Sequence, residues 1–307
     1  MPVDIREPSR YVGRFAPSPT GSLHFGSLLA ALASYLEART RHGRWFVRIE
    51  DIDPPRERPG AADSILDTLE KYGFSADDPP VWQSASAPFH SAAVTALLDA
   101  DLAYNCDCSR KDIGESEPGA PGPVYPGTCR FRRLASGSNR AIRVRCDSTR
   151  IGFDDRLQGR SEQELDITSG DFVVWRRDGL PAYQLAVVVD DHQQGVTDVV
   201  RGVDLLDSTP RQIWLQRQLG YPTPTYAHIP VAVDVEGRKL SKASQAAALP
   251  VNRPVPVLHR ALAVLGQSPP PELTRAPLVE IWNWALAHWN LGRVAGHAVA
   301  QVVQPLW

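Results

Sequence analysis

Three groups of residues in this chain have types and spacings suited to chemistry. The first is the run Arg14-Phe-Ala-Pro17-Ser18-Pro-Thr20-Gly-Ser-Leu-His24-Phe-Gly26-Ser27. Strand-like residues pass through a proline-stiffened turn into a helix start, whose free N–H groups and positive potential suit phosphate. Gly26 would let a nucleotide approach closely, and His24 and Thr20 could donate to phosphate oxygens. A plain proline- and glycine-rich connection between strand and helix reads equally well from these residues alone. The second group is Arg238-Lys239-Leu-Ser-Lys242-Ala243-Ser244, just after a turn at Val235-Glu-Gly237. Two ammonium groups there could neutralise a triphosphate and charge developing at its α-phosphorus, or simply face solvent. Lysine occurs only four times, against 29 arginines, and two of the four sit in this loop, which favours a functional role. The third group is Cys106, Cys108, Tyr125 and Cys129, three thiols and a phenol that could hold zinc tetrahedrally or stand as unpaired core cysteines.

The elements that must position these groups alternate between strand and helix. Arg10–Phe15 and Trp45–Ile49 have strand character, with helical composition from Gly26 to Arg41 and from Ala61 to Tyr72. That order predicts a βαβ unit and a parallel sheet. A helix over Ser91–Asp101 leads to a strand at Ala103–Cys106, and Ala141–Cys146 alternates as a strand. Phe172–Trp175 and Tyr183–Val189 read as buried strands returning to the main sheet. Thr209 reads as an N-cap with Pro210 at the first helical position and Gln212 completing a capping box. His228–Val233 reads as a strand before the lysine loop, with helices near Pro256–Leu265 and Leu278–Leu291. The expected division is a first catalytic half over 1–103, an inserted subdomain over 104–170, a second catalytic half over 171–245 and a short helical region over 246–307.

Composition narrows the class. The chain has 307 residues, 43% hydrophobic and 22% charged, with a net charge of −2. It is expected to be globular, with about two domains. No run approaches the roughly 18 apolar residues of a spanning helix. No signal peptide is visible and four cysteines are too few for a disulfide framework, so a cytoplasmic setting is expected. Nothing calls for more than a monomer. The eight arginines from Arg130 to Arg156, with Arg176 and Arg177, could meet RNA phosphate or form a solvated strand face.

Taken together, these motifs resemble a known family. His24-Phe-Gly26-Ser27 resembles the HIGH signature of the class I aminoacyl-tRNA synthetases, and Lys239-Leu-Ser-Lys242 resembles their KMSKS signature. RFAPSPTGSLHFGS, followed by Arg48-Ile-Glu50-Asp51-Ile-Asp53, is similar to the glutamyl branch. The spacing Cys106-x-Cys108 … Tyr125-x3-Cys129 and the short length narrow the likeness to truncated members of that branch. It covers about residues 10–245. Two positions depart from the signatures: Ser27 stands where HIGH ends in His, and Ala243 where KMSKS ends in Ser. Activity is expected to survive both, with the rate in question.

The resemblance implies an α/β fold: a Rossmann-type parallel-sheet catalytic domain with an inserted zinc-containing subdomain and a short helical C-terminal region. Only 65 residues follow Lys242, too few for the helical anticodon-binding region of a glutamyl-tRNA synthetase. The implied activity is a ligase reaction in which ATP activates L-glutamate without tRNA. The glutamyl group then passes to queuosine in the anticodon of tRNA(Asp). Carried over position by position, Arg14, Ser18, Glu50, Tyr183 and Arg201 would bind glutamate. Pro17, Thr20, His24, Gly26, Ser27 and Lys242 would bind ATP, accompanied by Mg²⁺, with His24, Lys239 and Lys242 catalytic. Cys106, Cys108, Tyr125 and Cys129 would hold one structural zinc ion, leaving Cys146 as a buried strand cysteine. Two other readings are a minimal enzyme charging the 3′ end of tRNA(Glu) and a synthetase-like module without catalysis.

Overall fold

The computed structural model describes residues 11–114, 118–119, 122–137, 139–233, 247–296 and 299–301. The lysine loop, with Lys239, Lys242 and Ala243, lies outside the described residues.

The chain begins as a parallel βαβ unit. Strand β1 (Val12–Phe15) leads into helix α1 (Phe25–Thr40), and β2 (Arg44–Ile49) pairs parallel with β1 in the register Arg14 to Phe46. Helix α2 (Ala61–Lys71) crosses to β3 (Val81–Trp82), parallel to β2. After helix α3 (Ala87–Asp99) come β4 (Ala103–Cys106), a one-turn helix α4 (Arg110–Ile113) and the short strands β5 (Pro118–Gly119) and β6 (Gly122–Pro123). Strands β7 (Ala141–Val144), β8 (Arg150–Asp155) and β9 (Gly159–Glu164) follow, then α5 (Leu165–Thr168) and β10 (Val173–Trp175). β4 and β10 flank β7 in an antiparallel sheet, and β8 and β9 form an antiparallel hairpin.

Parallel order resumes after helix α6 (Tyr183–Gln193), with β11 (Asp198–Gly202), helix α7 (Thr209–Leu219) and β12 (Thr225–Ile229), the two strands paired parallel. This pair joins the first three strands at β1: Thr197 N–H donates to Val12 O, and Val12 N–H donates to Thr197 Oγ1. The resulting order is β3-β2-β1-β11-β12, a doubly wound sheet whose direction of winding reverses between β1 and β11. Alternate residues confirm the two faces. Val200 packs with α1 and α2, whereas Val199 packs with α3, α6 and α7. Strand β13 (Val231–Val233), helices α8 (Pro254–Val264) and α9 (Leu278–His288) and strand β14 (Val299–Gln301) complete the described chain, with β14 parallel to β13. The helices α8 and α9 belong to the core that surrounds α1. Among the described residues, no helix is long and apolar enough to cross a membrane.

Three expectations need correction. Tyr183–Val189 is not a strand but the first part of α6. Residues 184–191 are all buried, Gln184, Asp190 and Asp191 included, so the helix is covered on every side and shows no amphipathic period to separate it from a buried strand. The strand within Phe172–Trp175 is real, but it pairs antiparallel with β7 and not with the main sheet. Thr209 is the first residue of α7 and does not cap it. Its hydroxyl accepts from Arg201, and Gln212 donates to Gln184.

Candidate functional site

In a doubly wound sheet, ligands bind beyond the carboxyl ends of the strands where the winding reverses. Here that point lies between β1 and β11. Arg14 is near the end of β1, Arg201 near the end of β11, and Glu50 immediately follows β2. These three sequence-predicted side chains therefore converge because the topology brings three strand ends together. Glu50 N–H donates to Pro17 O, which ties the proline turn to the end of β2.

Buried charge surrounds this point. Arg14 Nε lies 3.1 Å from Asp191 Oδ1, and Arg48 Nη1 lies 2.8 Å from the same oxygen. Arg48 also reaches Glu50 at 3.4 Å. Asp191 keeps its charge against burial because both guanidiniums hold it below the usual carboxylate range. Glu50 shows the opposite balance. Burial pushes its pKa up, and the Asp191 and Asp190 carboxylates add to that push, against Arg48 and Arg14. Behind the pair, Asp190 accepts from Gln83 Nε2 at 2.6 Å and pairs with His90 Nε2 at 2.8 Å. Tyr183 starts α6 beside these groups, 36% exposed. Its hydroxyl is raised chiefly by burial, with Arg201, Glu50, Arg14 and Asp191 the charges facing it. Ser18 is exposed on the turn.

Arg201 is held from behind by a relay. Its Nε donates to His228 Nε2 at 3.0 Å, and its Nη2 donates to Thr209 Oγ1 at 2.8 Å. An arginine Nε can only donate, so His228 Nε2 must accept and its proton must sit on Nδ1. Nδ1–H in turn faces Asp155 Oδ2 at 2.6 Å. Asp155 also accepts backbone N–H from Leu157 and Gln158, and it stays below the usual range despite burial through the bond from His228 and these N–H groups. Burial first, with the Arg201 cation adding to it, keeps His228 neutral against the pull of Asp155.

His24 is the N-cap of α1, with Ser27 N–H donating to its Nδ1 at 3.2 Å. The Ser27 hydroxyl lies 3.0 Å from His24 Nε2, so the position where HIGH carries its last His makes a direct contact with the first. Gly26 and Ser27 lie in the first turn of α1, where the helix presents its N–H groups. Thr20 sits on the half-buried turn, its N–H donating to Ser18 O. The two ends of the lysine loop are informative even though the loop lies outside the described residues. The chain leaves at the end of β13, and Ala248 bridges His24 while Leu249 N–H donates to Leu23 O. The chain that follows the lysine loop thus lies beside the His24 turn.

The cysteine group assembles in the antiparallel part. The sulfurs of Cys106, Cys108 and Cys129 lie within 4.8 Å of one another. Tyr125 OH stands 3.5 Å from Cys106 Sγ and 3.6 Å from Cys108 Sγ, and the two sulfurs of Cys108 and Cys129 are 3.4 Å apart. Bond lengths of about 2.3 Å to sulfur and about 2.0 Å to oxygen place tetrahedral ligand atoms roughly 3.5–3.8 Å apart, so the set fits a zinc-sized ion. Gly170 makes room for it: its backbone is left-handed and bridges Tyr125, whose main chain a Cβ there would strike. Burial raises Cys108 to about 11, whereas Cys106 is held below its ordinary value against burial by bonds from Tyr125 and Arg143. Cys146 is buried elsewhere, its N–H donating to Asp171.

Asp190, Asp191, Arg48, Asp155, His228 and Asp171 were not singled out from the sequence. Paired acids within the valine-rich run VVVDDH, and an arginine two places before Glu50 on the same strand face, were signals that could have found three of them, Asp190, Asp191 and Arg48. For Asp155, His228 and Asp171 the sequence carries no local signal.

The family model for class I tRNA synthetases (E and Q), catalytic domain, matches residues 11–252. The glutamyl-Q tRNA(Asp) synthetase of Dechloromonas aromatica is 54% identical over 289 residues, 93% of this chain and 96% of the relative. That of Pseudomonas aeruginosa strain PAO1 is 52% identical over 286 residues, covering 93% and 96%. Among solved structures, a glutamate–tRNA synthetase from Elizabethkingia anophelis superposes with a TM-score of 0.81 at 24% identity, over 97% of this chain and 69% of that one. At that identity the likeness speaks for the fold.

Proposed function

From a chain that belongs to the class I tRNA synthetases of the E and Q type, within the glutamyl-Q tRNA(Asp) synthetase family, and is therefore a ligase, we propose that it activates L-glutamate with ATP and transfers it to queuosine in tRNA(Asp). The observation that carries this reading is the convergence of Arg14, Glu50, Tyr183 and Arg201 at one strand-end site beside the start of α1. An amino acid with two carboxylates and one ammonium calls for cations and an anion within one small pocket.

In this reading Glu50 takes the ammonium, Arg14 and Arg201 take the carboxylates, and Tyr183 and Ser18 complete the hydrogen bonds. Pro17, Thr20, His24, Gly26 and Ser27 seat ATP at the α1 N-terminus, with Mg²⁺ on the phosphates. A glutamate carboxylate oxygen attacks the α-phosphorus, the bond to the bridging oxygen breaks, and pyrophosphate leaves. Lys239 and Lys242 offset the charge that builds on the phosphoryl oxygens. A hydroxyl of the queuosine cyclopentene-diol then attacks the glutamyl carbonyl. Its proton is lost, AMP departs, and an ester remains. No side chain acts as nucleophile, so catalysis is positioning and charge stabilisation.

The four-ligand group Cys106, Cys108, Tyr125 and Cys129 would hold zinc with no open position, a structural and not a catalytic role. Residues 104–170 then act as an inserted subdomain between two catalytic halves, 1–103 and 171–245, with 246–307 a short helical region whose helices α8 and α9 pack against α1. We place the reaction in the cytoplasm, in keeping with four unpaired cysteines, and carried out by a monomer. The test is glutamate-dependent exchange of labelled pyrophosphate into ATP without RNA. Exchange with glutamate alone among the amino acids supports the reading, and its absence sinks it.

A further inference from the structure

The most exposed large apolar side chain among the described residues is Phe131, at 85%. It stands in the turn that follows Cys129, between Arg130 and the exposed pair Arg132 and Arg133. A lone surface phenylalanine is ordinary; this one sits on a backbone fixed from several sides. Arg130 N–H donates to Gly127 O at 2.8 Å, and Arg132 N–H to Cys129 O at 3.1 Å. The Arg130 side chain is anchored on buried Asp171 at 2.5 Å, and its carbonyl accepts from Arg145 Nη1 at 3.0 Å. Two residues beyond Arg132, Leu134 O accepts from Asn105 Nδ2 at 3.1 Å. The ring is thus presented to solvent by a turn that has little freedom to fold it away.

The same turn connects to the rim of the site. Arg132 Nη1 pairs with Asp107 Oδ1 at 2.9 Å, and Arg177 donates to Asp107 O. The neighbouring Arg176 lies 3.8 Å from Asp53, three residues beyond Glu50. A basic strip with one aromatic face therefore runs from the mouth of the site to the cysteine turn. Arginines flanking an exposed ring are the means by which proteins hold unpaired nucleotides, the cations tracking phosphate and the ring stacking on a base. Exposed Arg133 adds positive charge two residues beyond the ring, while Asp107 pairs with Arg132.

We propose that Phe131 is a stacking platform for an unpaired base of the acceptor RNA, with Arg132, Arg133 and Arg177 holding the adjoining phosphates. This rests on the proposed function, because the strip leads to the pocket where that function puts the glutamyl adenylate.

The experiment uses the full chain and tRNA(Asp) carrying queuosine, with pyrophosphate exchange, glutamyl transfer and fluorescence binding of the labelled tRNA measured side by side. F131A is expected to leave exchange within twofold of wild type and to weaken tRNA affinity and raise its KM by about tenfold or more. F131W should restore both. R132A should weaken binding and flatten its dependence on salt. Unchanged tRNA affinity and KM in F131A, with exchange intact, would overturn the platform. A change in sedimentation with no change in RNA binding would also overturn it and assign the ring to contact between copies. If wild type neither binds nor glutamylates this tRNA, the functional reading itself has failed. The platform then stands or falls on whether F131A lowers affinity for an unmodified RNA hairpin.

Discussion

At the scale of single residues, the site depends on charges kept in a buried setting by their neighbours. Glu50 is pushed upward by burial, so it takes a proton at a pH above the ordinary glutamate range. Only its ionised form can pair with an ammonium. The KM for glutamate in the exchange reaction should therefore rise as pH falls, beginning above that range, while the KM for ATP stays level. E50Q should remove this limb and raise the glutamate KM on the order of 100-fold, the loss of one charge-assisted contact. A pH-independent glutamate KM in wild type between pH 5 and about 8 would count against the role. His228 acts at one remove, by accepting from Arg201 while Asp155 fixes its tautomer. H228A should raise the glutamate KM about tenfold with kcat for exchange little changed. H228Q, whose amide oxygen can still accept from Arg201, should recover part of the loss. Equal effects of both variants on kcat and on KM would mark the relay as structural only. Of the residues that meet substrate in this account, Arg14, Ser18, His24 and Glu50 sit in motifs, whereas Tyr183 and Arg201 were named only through the family resemblance. Those that hold them, Asp191 and His228 above all, were not named, because a supporting partner is set by the fold and not by a neighbour in the chain.

At the scale of elements, the βαβ start was readable from order and turn chemistry, and α1 and β2 fall within two residues of their expected bounds. α6 was not, since a helix buried on every side loses the period that identifies it. β14 was also unread, since a three-residue edge pairing has no signature of its own. The contribution of the C-terminal helices is measurable. Trp282 on α9 donates to Tyr72 O at 2.9 Å and makes edge contacts with Tyr35 and Phe74, each with centroids 5.1 Å apart. Gly73 leaves space for it, since a Cβ there would come within 2.6 Å of the indole nitrogen. W282A should cost about 3 kcal/mol in denaturant unfolding, and an effect below about 1 kcal/mol would mean that α9 is an ornament on the core. The cysteine turn makes its own prediction. Purified protein should carry about one zinc per chain, and C129S should lose it and impair glutamyl transfer more than pyrophosphate exchange. A metal-free wild type that folds and transfers normally would contradict the site.

At the scale of the whole molecule, the sheet reversal between β1 and β11 determines where the strand ends meet, and Ala248, six residues after Lys242 in the chain, docks on His24 at that place. K242A should therefore lower exchange by roughly 100- to 1,000-fold without altering the unfolding transition, and exchange at the wild-type rate would remove the loop from the mechanism. The acceptor is the part of the account that lies farthest from the pocket, and it is the part most directly open to test. Labelled glutamate is supplied with ATP to the enzyme and to two preparations of tRNA(Asp), one carrying queuosine and one without it. The expected result is label on the queuosine-containing RNA alone, retained after removal of its 3′-terminal nucleotide. Equal labelling of both preparations, or label confined to the 3′ end, would contradict the account.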